Sequence, residues 1–154
     1  MIQRDRSLQI SVIGGSDPDR NTVVLAEQVG KAVAAKGAVL ICGGLGGVME
    51  AAARGAKEKG GLTVGILPGY DAESANRFID VLVPTGLGHA RNMLVAASGD
   101  LIIALPGSHG TRSEVSIALL LGRRVIGLKA WGEISGVRQV DSLEELEKEL
   151  LPTL

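Results

Sequence analysis

Aromatic side chains are almost missing from this sequence: Tyr70, Phe78 and Trp131 are the only three in 154 residues. A close-packed interior must therefore be built from Val, Ile, Leu and Ala, within an apolar share of 45%. Cysteine is rarer still. Cys42 stands alone, which excludes an intrachain disulfide, and it sits in an apolar strand-like run where a small buried thiol is ordinary. Two histidines and one cysteine give no metal-ligand spacing, so no metal is expected. Neither sign of charge dominates: the net charge is −1, and no basic run exceeds Arg123-Arg124. That balance speaks against a nucleic-acid surface. No window approaches about 18 uninterrupted apolar residues. The first ten residues carry Arg4, Asp5 and Arg6 where a signal peptide needs its apolar stretch. A cytoplasmic protein without a membrane partner is expected.

Glycine is what the chain has in excess, at 22 residues, about twice the usual share of about 7%. The glycines are not filler, because they stand at the ends of apolar runs. Leu8–Ile13 runs into Gly14-Gly15-Ser16, and Asn21–Lys36 follows with helical spacing through Leu25, Val29 and Val33, stopped by Gly37. Ala38–Cys42 ends at Gly43-Gly44-Leu45-Gly46-Gly47, and the alanine-rich segment Val48–Lys59 follows as a helix. Leu62–Leu67 and Phe78–Val83 read as the next strands, with a polar loop over Asp71–Arg77 between them. A helix is expected over Gly88–Ala97. The strand Asp100–Leu105 then ends at Pro106-Gly107-Ser108-His109-Gly110, with a helix over Thr111–Leu121. Arg124–Leu128 and Val137–Val140 complete the strands. Ser142-Leu143-Glu144-Glu145 has capping-box spacing for a last helix running to about Leu151.

Strands alternating with helices imply right-handed βαβ crossovers and a parallel sheet. Continuous apolar runs such as Leu101-Ile102-Ile103-Ala104-Leu105 suit strands covered on both faces. The expectation is an α/β fold: a Rossmann-like, doubly wound parallel sheet in a three-layer α/β/α sandwich, with one domain over residues 1–154. Ligands of such sheets bind beyond the carboxyl ends of the strands. Three glycine-rich segments fall there: Gly14, Gly15 and Ser16; Gly43, Gly44, Gly46 and Gly47; and Pro106, Gly107, Ser108, His109, Gly110 and Thr111. Glycine permits close backbone approach, and a helix N-terminus offers unpaired N–H groups to an anion. No Gly-Lys-Ser/Thr follows a glycine, which excludes a P-loop. The second loop lacks G-x-G-x-x-G spacing, and no acidic residue closes the following strand, which disfavours a dinucleotide dehydrogenase.

Gly43-Gly44-x-Gly46-Gly47-x-Met49-Glu50, then Arg91, then Pro106-Gly107-x-x-Gly110-Thr111-x-x-Glu114, resembles the LOG-like superfamily, whose members often carry a lysine decarboxylase label. The similarity is nearest to its short proteins related to the molybdenum cofactor carrier protein. The resemblance implies a Rossmann-like fold, a homo-oligomer (dimer or tetramer) and a site for a phosphorylated small molecule. It also implies one of two activities. Enzymatic members hydrolyse the N-glycosidic bond of cytokinin nucleoside 5′-monophosphates with an arginine and a glutamate, which match Arg91 and Glu114, and require no cofactor. Carrier members bind molybdenum cofactor, a phosphorylated pterin, without turnover. Pyridoxal chemistry finds no Schiff-base lysine here. Ser108 stands where the enzymes have a second glycine, and Asn92 where they have lysine; both departures weigh against catalysis more than against binding.

Each site residue has an ordinary alternative. Thr111-Arg112-Ser113-Glu114 also has capping-box spacing, in which Glu114 would satisfy the start of its helix and need no ligand. Arg91, near a helix start where a cation opposes the dipole, is either a solvated arginine or a phosphate contact. His109 is either an anion donor or an exposed loop residue, and His89 has no signal beyond its closeness to Arg91. Met49 reads most simply as packing. The run Val115–Leu121 is apolar nearly all round, which suits core and oligomer interface together.

Overall fold

The computed structural model describes residues 5–150. Its seven strands, β1 (Gln9–Ile13), β2 (Val39–Cys42), β3 (Thr63–Leu67), β4 (Val81–Pro84), β5 (Leu101–Ala104), β6 (Arg124–Leu128) and β7 (Val137–Val140), form one sheet in the order β4-β3-β2-β1-β5-β6-β7. Every pairing is parallel. The chain winds outward from β1 to β4, then returns to lay β5 against the other edge of β1. The switch point of this Rossmann-like fold therefore lies between β1 and β5, where doubly wound sheets hold ligands.

Helices α1 (Arg20–Ala35), α2 (Val48–Glu58) and α5 (Leu143–Leu150) share one core with Ile10, Leu40 and Ile103. Helices α3 (Arg91–Ser98) and α4 (His109–Leu120) cover the other face over Ile41, Ile66 and Ile102. Alternate residues of each central strand thus feed opposite cores, and the continuous apolar strands are explained. The expected edge cases differ. β4 begins at Val81, not Phe78, because polar side chains hold the preceding segment: the Phe78 N–H donates to Asn76 Oδ1 at 3.0 Å, and Asp80 accepts from the Thr63 N–H at 3.0 Å. Val81, Leu82 and Val83 are exposed, so this edge strand lacks the double cover its apolar sequence suggests. A 3₁₀ turn at Ala72–Ser74 lies within the expected loop, and another at Gly88–Ala90 precedes α3.

Helix ends follow local chemistry. Asp19 caps α1 through the Thr22 N–H at 2.8 Å. At α5, Ser142 Oγ accepts from the Glu145 N–H at 3.1 Å while the Glu145 carboxylate accepts from the Asp141 N–H at 3.0 Å. Leu151, the expected end of that helix, lies outside the described residues. No described helix is long and apolar enough to cross a membrane.

α1 and α2 meet backbone to backbone. A Cβ on Gly30 would overlap the Ala52 carbonyl, and one on Gly55 would overlap the Glu27 carbonyl. Gly55→Ala is therefore expected to destabilise the fold by about 1–3 kcal/mol through overpacking, against a gain of about 1 kcal/mol for the same change in an open helix. Urea unfolding checks this. Gly132→Ala, where a Cβ meets nothing within 4 Å, serves as control.

Candidate functional site

The loops after β1, β2 and β5 converge on one cleft and are bonded to each other. The Gly15 N–H donates to Pro106 O at 2.9 Å, and Gly15 O accepts from the Val48 N–H at 3.0 Å. Glycine is required where these backbones cross: Gly47 has φ 66°, and a Cβ there would lie 2.5 Å from Gly15 O. The resulting cavity of about 260 Å³ is lined by Gly14, Gly15, Ser16, Gly43, Met49, Ser108, Gly110, Thr111, Arg91 and Glu114. Gly44, Gly46, Gly47, Pro106, Gly107 and His109 shape the loops but stand outside this lining. Val12, Ile13, Leu45, His89 and Asn92 complete the walls. The volume sits near the small end of ligand pockets, which run upward from about 300 Å³.

The floor is charged and dry. Arg91, the first residue of α3, is 9% exposed, and Glu114 is 6% exposed. Their nearest atoms, Arg91 Nη1 and Glu114 Oε1, are 3.8 Å apart. The guanidinium also donates to Asn92 Oδ1 and, at 3.5 Å, to Gly43 O, while its buried Nε has no partner among the described residues. Gly43 makes room for it, since a Cβ there would lie 2.7 Å from Arg91 Nη2. Asn92 in turn donates to Ser113 Oγ at 3.4 Å. Burial pushes the Glu114 carboxyl up to about 7, with Arg91 pulling the other way. Burial likewise lowers the Arg91 guanidinium, opposed by Glu114. Cys42, beneath the second loop, is pushed up to about 11 by burial, so its thiol keeps its proton.

The capping alternative for Glu114 does not hold. α4 starts at His109, so Thr111 is its third residue and Glu114 its sixth, beyond reach of the unpaired N–H groups. Neither Ser108, the N-cap, nor any other side chain caps α4, and α2 is likewise uncapped behind Gly47. One of the orphan N–H groups of α2 is taken by Gly15 O; the start of α4 faces the cavity open. Arg91 is not a solvated arginine. Nor is His109 part of the wall: it is exposed, whereas His89, which the sequence did not mark, lines the mouth. Among the described residues no group of three or more His, Cys, Asp or Glu is placed to hold a metal ion.

Residues 7–151 match the SLOG cluster4 family. The chain belongs to that family. A protein of Archaeoglobus fulgidus is 49% identical over 138 residues, covering 90% of this chain and 91% of its own. A cytokinin riboside 5′-monophosphate phosphoribohydrolase of Rhodococcoides fascians is 37% identical over 68% of this chain, which spans only 56% of that enzyme's length. The solved molybdenum cofactor binding protein of Rippkaea orientalis superposes with a TM-score of 0.90 at 35% identity, over 97% of this chain and 98% of its own. The SLOG cluster4 chain is thus similar over its whole length to a molybdenum cofactor binding protein and over part of its length to a phosphoribohydrolase.

The buried carboxyl makes stability pH-dependent. Its folded value lies above its ordinary 4.5, so its favourable contribution is full below that value and is lost as pH rises through about 7. Between pH 4.5 and 8, wild type is expected to lose about 3 kcal/mol relative to Glu114→Gln, at about 1.4 kcal/mol per pH unit. Urea titrations of both proteins across that range would show the difference, and parallel profiles would contradict it.

Proposed function

We propose that the chain binds one phosphorylated nucleotide- or pterin-like molecule in this cavity, as a carrier of the kind its cofactor-binding neighbour exemplifies. The observation that carries the reading is one small cavity lined both by the buried Arg91 and by Ser108, Gly110 and Thr111 at the uncapped start of α4. A helix N-terminus and a desolvated arginine both favour a phosphate or another anionic oxygen. Leu45, Met49 and His89 at the mouth offer apolar and imidazole surface to a ring system. Full-length likeness to the molybdenum cofactor binding protein, against half-length likeness to the hydrolase, supports carriage first.

One observation favours hydrolysis as a second reading. A carboxyl titrating near 7 in the cavity floor is suited to exchange a proton at neutral pH. In that reading Glu114 orients water at the sugar carbon that loses the base, and Arg91 offsets the charge of the nucleotide phosphate.

Incubation with nucleoside 5′-monophosphates, with free base followed by chromatography, separates the two. Carriage predicts no base release and a phosphorylated pterin retained in native mass spectra. Arg91→Gln is expected to weaken binding of the phosphorylated ligand by about 10- to 100-fold, the value of a charged hydrogen bond of roughly 1.5–3 kcal/mol. Hydrolysis predicts base release that Glu114→Gln abolishes. Retention of neither ligand would sink the pocket itself.

The chain is also inferred to form a homo-oligomer. Val64, Ile66, Val83 and Leu94 line an open groove of about 480 Å³ with no charged residue in its walls, beside the exposed edge strand β4. Of the run Val115–Leu121, Val115 and Ala118 are core, while Leu120 is 86% exposed. A second copy suits an uncharged face of this kind. Sedimentation is expected to give a dimer or tetramer, and Leu94→Glu to shift it toward the monomer.

A further inference from the structure

The connection after β6 carries two residues in the left-handed region, Lys129 at φ 52° and Trp131 at φ 31°. Neither is glycine, and a bulky side chain there is a genuine outlier. Such a conformation persists only where surrounding contacts fix it, and it tends to mark a functional constraint. The contacts are present. The Lys129 N–H donates to Val140 O at 3.1 Å, and Gln139 Nε2 donates to Gly132 O at 3.2 Å. The Arg112 guanidinium lies over the indole, 5.4 Å from its centroid. The Trp131 Nε1–H donates to Gly107 O at 3.1 Å.

That last bond reaches into the third glycine loop, although Trp131 does not line the ligand cavity. It lines a separate cavity behind the loop with Arg112 and Val115. The Gly107–Ser108 peptide is trans, so its C=O and N–H point in opposite directions. With the C=O held toward the indole, the Ser108 N–H is turned away from the indole, and Ser108 itself lines the ligand cavity. Among the described residues this N–H has no acceptor. The preceding carbonyl, Pro106 O, is held by the Gly15 N–H at 2.9 Å. Each of the two peptides at the bend is thereby fixed from outside the loop.

We propose that Trp131 is a positioning residue for anion recognition: its indole N–H fixes the Gly107–Ser108 peptide so that the Ser108 N–H is presented to the phosphate of the ligand. The proposal rests on the phosphorylated-ligand reading, but its structural half can be tested without any ligand. Trp131→Phe keeps an aromatic ring beside Arg112 and removes the donor together with the five-membered ring that carries it. In amide NMR spectra of the free protein, the Ser108 and His109 resonances are expected to move, and those of Gly43 and Gly46 to stay in place.

Calorimetry with adenosine 5′-monophosphate and with adenosine tests the functional half. Trp131→Phe is expected to weaken the monophosphate by roughly fivefold, equivalent to one hydrogen bond of about 1 kcal/mol, and to leave adenosine unchanged. A merely structural role would weaken both ligands alike. Trp131 is the only tryptophan, so in wild type its indole N–H resonance is expected to shift with the monophosphate and not with adenosine. This readout stands even where the variant fails to fold. An unmoved Ser108 amide, equal losses for the two ligands, or an indole resonance indifferent to the monophosphate would overturn the proposal. Wild type that binds neither ligand would sink the nucleotide reading, while the amide shifts still decide the brace.

Discussion

The peptide group of Gly15 is bonded on both sides: its N–H goes to the loop after β5 and its carbonyl to the first turn of α2. Through these two bonds, loops from three strands become one surface at the switch point of the sheet. Close approach is the condition. A side chain on Gly14 would collide with Val48, and one on Gly47 with the backbone at Gly15 and Ser16. Glycine at these positions lets the three loops pack against one another, and Gly14, Gly15 and Gly43 line the cavity where they meet.

Against that fixed wall, the charged floor sets the chemistry. Arg91 and Glu114 come from helices on the same face of the sheet and meet beneath the loops. Desolvation moves both groups toward their neutral forms, and their mutual attraction only partly restores the charged ones. Asn92 is an acceptor for the guanidinium, not merely a missing lysine. A lysine in its place would set two cations side by side in the dry floor.

Much of the fold was legible because glycine ends and continuous apolar runs mark the strands of a doubly covered parallel sheet. β4 was misplaced because apolar residues at Phe78 and Ile79 precede the strand, while Asn76 and Asp80 tie that segment down through side-chain bonds. The two capping-box spacings are instructive. Ser142 caps α5 through the Glu145 N–H, and the Glu145 carboxylate reaches back to the Asp141 N–H, because Ser142 ends the non-helical chain before α5. Thr111–Glu114 forms no such cap, because the helix has already begun at His109, with Gly110 inside its first turn. Reading Gly110 as loop placed the helix start too late and gave Glu114 a local partner it does not have. His89 was invisible for another reason: its place at the mouth depends on the 3₁₀ turn at Gly88–Ala90, which leaves no periodic signal.

The interlocked glycines of α1 and α2 have a mechanical consequence. Where two helices touch through side chains, they can slide by rotamer changes. Where Gly30 rests on the Ala52 carbonyl and Gly55 on that of Glu27, the backbones themselves touch, and the Arg54–Glu27 and Lys31–Glu58 ion pairs flank the contact. The pair resists shear as a single beam, and α2 starts from the residue that bonds Gly15. The cavity wall built on the first two glycine loops is therefore anchored to a helix pair in direct backbone contact.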